Sequence, residues 1–593
     1  MNDPSGIDQE SVRARRREWL RYLRVFAILL ALLLVALALV AGIGERQDRQ
    51  ALDAPQAFTR EITEITTDPA PWGRYWPDQF DDWKASAGDD SLGGSSALPQ
   101  SKLEADPWLK RLYAGHAFSI DDREARGHAY MLHDQEVTER VTNKPQPGAC
   151  LHCHASVSVL YRRVGMEALG EEVTPATLAA EFHQSAVMRG FKELGRKPYR
   201  EVLALLRATP DGTLGDGTLG DGTLGDGALG DDRPVPVPAA ADGSRDEPTP
   251  ESRHGGGEAH PVACIDCHDP KTLAVRVTRP AFFTAIAALA AGDAAVPHLP
   301  SIQQWRQGTR EAPYDPNRLA SRQEMRSFVC GQCHSEYACG NPAGLTLPWA
   351  GGLRAEDEEA FWEAFRLPDG SAFHDFRHGE TGAPSYKVEH PEFELWSQGI
   401  HARAGVACAD CHMPAREQGA PQVSDHRVTS PLEKLAPACQ GCHPVAEPEL
   451  RDWVATIQTR TRVLTLRAAT AMTEMLDAIR EAQAAGASDT DLAVALRHQR
   501  KATWRLDYIS SENSKGFHAP QEAARLLAES IDHSRKAQAL ALRWRAPETP
   551  DTSVLFRRPV RGVTDAPAAD GGPPSGKLNE TAVSTSGGEP GRD

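Results

Sequence analysis

Five short stretches of this chain set two cysteines and a histidine at one spacing, Cys-x-x-Cys-His. They are Cys150, Cys153 and His154; Cys264, Cys267 and His268; Cys330, Cys333 and His334; Cys408, Cys411 and His412; and Cys439, Cys442 and His443. Two thiols three residues apart can add to the two vinyl groups of a haem, and the imidazole that follows binds the iron. Zinc also takes Cys-x-x-Cys pairs, but it gives no reason for a histidine directly after every second cysteine. Ten of the 11 cysteines are used in this way, so the chain is read as carrying five covalently bound haem c groups. A six-coordinate iron needs a second axial ligand. The chain has 21 histidines, and those outside the motifs that sit in tight local patterns are His128, His390, His401, His426 and His518. Five such ligands saturate every iron. If one of the five acts on a substrate instead, one iron is left open to bind it.

The elements that position these groups are read as mainly α. The expected fold is a multihaem cytochrome c, a helix- and loop-rich domain followed by long C-terminal helices and preceded by a transmembrane helix. Its 40% hydrophobic content is modest for 593 residues and suits a chain in which porphyrins replace part of the aliphatic core. A formal charge of −17 argues against nucleic acid as a partner. Residues 1–24 are basic, with Arg13, Arg15, Arg16, Arg17, Arg21 and Arg24. Residues 25–43 are almost wholly apolar; at about 1.5 Å per residue they reach roughly 28 Å, enough to cross a bilayer core. The basic flank keeps the N-terminus in the cytoplasm and sends the rest outward. A cleaved signal peptide is the other reading, and it places the haem domain on the same side.

Residues 44–70 are read as a linker, and 71–206 as the first part of the haem domain with the first haem. Leu178–Leu206 is read as one helix. Residues 207–258 contain the pentad repeat DGTLG DGTLG DGTLG DGALG and are read as a disordered insertion, too poor in large apolar residues to offset the entropy of ordering. Residues 259–445 hold haems two to five. Residues 446–545 form long helices: Leu450, Trp453, Val454, Ile457, Leu464, Met472, Met475 and Ile479 fall at helical spacing. These helices lack a haem motif and are read as a homodimer interface. Residues 546–593 are read as a disordered tail, and Cys339, the eleventh cysteine, as a free, partly buried thiol.

Several phrases go beyond the haem motifs: WGRYWPDQFDDWKAS from Trp72, AGHAFSIDDREARGHAY from Ala114, CGQCHSEY from Cys330, KVEHPEFELWSQGIH from Lys387, CADCHMP from Cys408 and GFHAP from Gly516. In these the chain resembles the pentahaem cytochrome c nitrite reductases, periplasmic enzymes that reduce nitrite to ammonium, over roughly 71–206 and 259–540. The resemblance implies four ligand pairs, His128 with His334, His426 with His268, His401 with His443 and His518 with His412. It leaves the haem of Cys150 and Cys153, on His154, open to nitrite. It implies Arg140, Tyr337 and His390 around that position. A guanidinium there stabilises the anion, and the other two carry protons. It further implies one calcium ion held by Glu336, Tyr337, Lys387 and Glu389. A quinol-oxidising membrane cytochrome or a small soluble one is the implied electron donor. Two positions depart from the family pattern: His154 stands where much of the family has Lys, and Glu389 where Gln is usual. The alternatives are an electron-transfer cytochrome without a site of its own, or a reductase of hydroxylamine or sulfur oxyanions.

Overall fold

In the computed structural model the described residues are 62–86, 99–208, 259–339, 344–415 and 423–545, and helices dominate them. The basic residues 1–24, the apolar run 25–43, the pentad repeat and the 546–593 tail lie outside the described residues. Among the described residues no helix is long and apolar enough to cross a membrane.

The elements used below are α1 (Met131–Val137), α2 (Glu139–Thr142), α3 (Leu151–His154), α4 (Ser158–Leu169), α5 (Gln184–Leu194), α6 (Cys264–Cys267), α7 (Arg322–Gly331), α8 (Glu392–Gln398), α9 (Cys408–His412), α10 (Glu447–Ala484), α11 (Ala493–Ser510) and α12 (Pro520–Arg545). The one sheet among the described residues is a two-residue antiparallel pair, Phe376–Arg377 with Pro384–Ser385.

The long C-terminal helices follow the apolar spacing. α10 has 38 residues, about 57 Å at 1.5 Å each. Pro448 lies in its first turn, where a missing N–H costs nothing, and Glu447 and Glu449 face the positive end of its dipole. Gly486, at φ +100°, closes the turn beyond it. Most of its apolar stripe is consumed within the chain. Met472, Met475 and Ile479 pack with Trp504 and Ile509 of α11 and Leu526 and Leu527 of α12, and this core continues into Tyr113, Trp362, Phe373 and Tyr386 of the haem-bearing part. Trp453, Val463 and Leu466 remain exposed on α10.

Two expectations need correction. Leu178–Leu206 is not one helix but parts of three: Pro175–Ala180, α5, and Tyr199–Arg207. The Nδ1 of His183 accepts the Ala186 N–H at 3.2 Å and so caps a new start, while Gly195 and Pro198 end that helix. Residues 62–70, assigned to a linker, pack into the body. Ile62 and Glu64 are buried. Arg276 grips both Glu64 carboxylate oxygens at 2.6 and 2.9 Å, and Arg162 donates to the Glu64 carbonyl at 2.8 Å. A buried bidentate pair of this kind holds its segment in place, because breaking it leaves a charge unpaired.

α4 and α5 cross backbone to backbone at two glycines. A Cβ on Gly165 would strike the Ala186 carbonyl, and one on Gly190 the Tyr161 carbonyl. This crossing sets the wall behind the first motif.

Candidate active site

Each Cys-x-x-Cys-His motif rides on a turn of helix, which puts thiols three residues apart on one side. The first spans the 3-10 turn Gly148–Cys150 and α3; the second is α6; the third ends α7; the fourth is α9; the fifth lies on a wide turn at Ala436–Gln440. All fifteen motif residues line one connected cavity of about 2380 Å³. Single-ligand pockets measure roughly 300–1,000 Å³, so this space suits several macrocycles. The motifs also touch one another. The thiol of Cys153 meets that of Cys333, and Cys330 meets Cys408. Cys339, half-buried, lies with its thiol against Cys150.

The expected ligand pairs are brought together across long stretches of chain. Ring centres stand 6.4 Å apart for His128 and His334, 6.2 Å for His268 and His426, 6.3 Å for His401 and His443, and 6.4 Å for His412 and His518. Two metal–imidazole bonds of roughly 2 Å, with the half-widths of two rings, come to a little over 6 Å, so an iron between each pair fits. Burial pushes His128, His268 and His412 down to about 4 and His154 to about 3, so each is neutral, the form that binds a metal. Burial also works against charge on His334 and His518. Beside them Glu392 and Glu512 outweigh it and raise both.

His154 has different company. Among the described residues no second histidine ring faces it at that separation. Its Nδ1 stands 3.3 Å from the Met131 carbonyl on α1, which fixes the ring and leaves Nε2 for a metal. Burial, then the neighbouring His390 and Arg140, keeps His154 neutral. Arg140, Tyr337 and His390 line the cavity together with it.

Arg140, on α2, stacks its guanidinium 4.5 Å over the ring of Phe118. Its other anchors are longer, 3.4 Å to the Asp121 carbonyl and 3.9 Å to the Asp122 carboxylate. Lys387 Nζ stands 4.8 Å from the same Phe118 ring and 4.7 Å from Tyr113. That ammonium is buried, and Asp507 at 3.3 Å, with Glu389, Asp122 and Glu336, holds it above its usual range despite burial. Tyr337 is buried, which with Glu389 keeps its phenol protonated well above the usual value. His390 meets the ring of His334 edge-on at 6.1 Å. Glu392 Oε2 stands 3.9 Å from Nδ1 of both histidines, and Asn513 Nδ2 holds its other oxygen at 2.6 Å. Phe118, Asp507, Glu392 and Glu512 escaped sequence reasoning. Phe118 and Glu392 sit inside phrases that carry the resemblance, but nothing in their spacing marks them.

The calcium expectation meets a site with the right chemistry. Glu336 is wholly buried; its Oε2 accepts the Glu389 N–H at 2.7 Å, and no donor faces its Oε1. Burial, then the nearby carboxylates of Glu358, Glu389 and Glu394, pushes it well above the carboxylate range. A buried carboxylate with a bare oxygen fits a cation. Among the described residues no three His, Cys, Asp or Glu side chains converge on one metal position. The implied set draws on the Tyr337 and Lys387 carbonyls instead.

The family model described as Cytochrome c552 matches residues 68–172 and 250–559. A cytochrome c-552 of Porphyromonas gingivalis is 36% identical over 288 residues, 48% of this chain and 51% of that protein, so this match spans about half of that relative. A cytochrome c-552 of Parabacteroides distasonis is 28% identical over 490 residues, 81% of this chain and 77% of that one. Among solved structures, a cytochrome c nitrite reductase of Desulfovibrio desulfuricans, described with two calcium sites in its catalytic subunit, superposes with a TM-score of 0.56. It does so at 23% identity over 82% of this chain and 87% of that one. The fold is therefore that of a multihaem cytochrome of this type.

Proposed function

The chain belongs to the cytochrome c552 family, and from that premise we propose that it is an ammonia-forming nitrite reductase. The observation that supports this reading is the contrast among five motif histidines. Four stand opposite a second histidine, while His154 shares its surroundings with Arg140, Tyr337 and His390.

When bound, the haem of the first motif supplies an iron that holds the substrate nitrogen and passes it electrons. The rest falls to side chains. The Arg140 guanidinium draws the nitrite anion in and stabilises charge as it builds on the oxygens. Tyr337, kept protonated by burial, donates its O–H to an oxygen that leaves as water. His390 hands protons on at its ring nitrogens, with Glu392 beside Nδ1 to orient it. Glu336, Tyr337, Lys387 and Glu389 would hold a calcium ion, which would steady Tyr337 and His390. The haem domain stands outside the cytoplasm, tethered by residues 25–43, and takes electrons from a membrane or small soluble cytochrome. Trp453 and Val463 line the haem cavity, so Leu466 is the exposed apolar residue of α10 left for a second copy; sedimentation of the loaded chain tests that assembly.

The experiment is nitrite turnover by the haem-loaded chain with ammonium counted as product. Arg140→Ala and His390→Ala lose at least tenfold in kcat/KM, about 1.4 kcal/mol, with haem content unchanged. Five low-spin haems indifferent to nitrite, or full turnover in both variants, refute the reading.

A further inference from the structure

Axial histidines differ in what stands behind them. The Nδ1 of His268 lies 3.0 Å from the Leu273 carbonyl, that of His412 3.2 Å from Thr429, that of His426 2.8 Å from Ser424, and that of His154 3.3 Å from Met131. All four partners are neutral backbone carbonyls. His518 is different: its Nδ1 stands 2.7 Å from Oε1 of Glu512, whose side chain is wholly buried. His334 has a carboxylate too, but at 3.9 Å.

The Glu512 carboxylate cannot swing away. Its Oε1 accepts the Ser514 N–H at 3.0 Å, and its Oε2 accepts the Ser514 hydroxyl at 2.8 Å and the Gly516 N–H at 3.3 Å. The Ser514 hydroxyl oxygen in turn accepts the His518 N–H at 3.0 Å. Gly516 holds this turn at φ +86° against Thr461, a conformation that favours glycine. Among the described residues, His518 is the only ion-pair partner of Glu512.

We propose that Glu512 lowers the reduction potential of the haem held between His412 and His518, making it the lowest of the four haems with paired histidines. A carboxylate behind an imidazole raises its basicity as a ligand, and a stronger donor favours ferric over ferrous iron. The buried negative charge acts in the same direction. An electron on this haem therefore runs downhill to the third, which is anchored alongside at the Cys408–Cys330 contact. Electrons then gather near the first motif and not at this haem. The inference rests on the proposed pairing of His412 with His518.

The test is a potentiometric titration of the haem-loaded full chain, followed by visible and EPR spectra. In the parent, one low-spin component stays oxidised until the other three paired-histidine haems are reduced. It is separated from them by at least tenfold in the reduction equilibrium, 59 mV for one electron. Glu512→Gln, which keeps the size and one acceptor, moves that component up by tenfold or more and leaves the others in place. Unmoved components, or components that all move together, overturn the proposal. If Glu512→Gln loses a haem, the parent titration decides: four paired-histidine haems that reduce together overturn it. His518→Ala must convert the low-potential signal to high spin. If all four paired-histidine haems stay low-spin in that variant, the ligand pairing itself is refuted, whereas nitrite turnover by the parent tests the proposed reaction independently.

Discussion

Phe118 offers a sharp test of how Arg140, the proposed substrate arginine, is held. Its ring lies 4.5 Å from the Arg140 guanidinium carbon, whereas the two polar anchors of that side chain are at 3.4 and 3.9 Å, long for hydrogen bonds. The ring is therefore the principal support of Arg140. Phe118→Leu fills similar space but presents no π face. A desolvated cation–π contact contributes about 1–2 kcal/mol, so the variant should lose about 5- to 30-fold in kcat/KM for nitrite at about 1.4 kcal/mol per decade. Lys387 touches the same ring, but Asp507 and Ser511 Oγ, at 3.3 and 2.9 Å, keep it in place. The loss is thus assigned to Arg140. The assay is steady-state nitrite reduction with a viologen donor, beside haem content and the thermal midpoint. Phe118→Tyr keeps the ring and should keep most of the activity. Equal losses in Leu and Tyr, or none in Leu, refute the argument.

Further outcomes follow from the acidic side of the site and from the helix crossing behind it. Burial lifts Asp375 to about 7 and Glu394 to about 8. Their unfolded values lie near 4, so the folded chain binds more protons in between, and stability falls as pH rises through that window. A calcium ion at the proposed Glu336–Glu389 site, which neighbours both carboxylates, would offset the negative charge that appears as those protons leave. A chelator should therefore lower the unfolding midpoint more at pH 8 than at pH 6, and an equal drop at both would argue against a cation there. Gly190→Ala drives a methyl into the Tyr161 carbonyl. It should cost about 1–3 kcal/mol, read as a lower midpoint in urea, and an unchanged midpoint would mean that α4 and α5 part easily.

How much of this was legible depends on how local the chemistry is. Haem attachment demands a fixed spacing within five residues, so every motif could be read directly. The distal histidines lie from 42 to 206 residues from their partners, and only the resemblance paired them. The helices after Pro448 were plain because a long apolar stripe has a period. Leu178–Leu206 kept that period through Gly195 and Pro198, and the period hid the break. Residues 62–70 looked like linker because they are polar, yet Glu64 is buried by Arg162 and Arg276 from distant segments. Phe118 and Asp507 draw their meaning from tertiary neighbours, and so does Glu512, although it lies only six residues before His518.

The four histidine pairs also form a topology. One closure runs from His128 to His334, the next from His268 to His426, the next from His401 to His443 and the last from His412 to His518. Each begins before the one ahead of it has ended, so the loops are linked like a chain stitch from residue 128 to residue 518. A cross-link closing a loop of tens to hundreds of residues removes roughly 3–5 kcal/mol of unfolded-state entropy in the chain model. Interlocked closures also tie each stretch between residues 128 and 518 to its neighbours. In sequence, residues 207–258 fall between His128 and His334, so a cut there would leave both ends stitched to the same body.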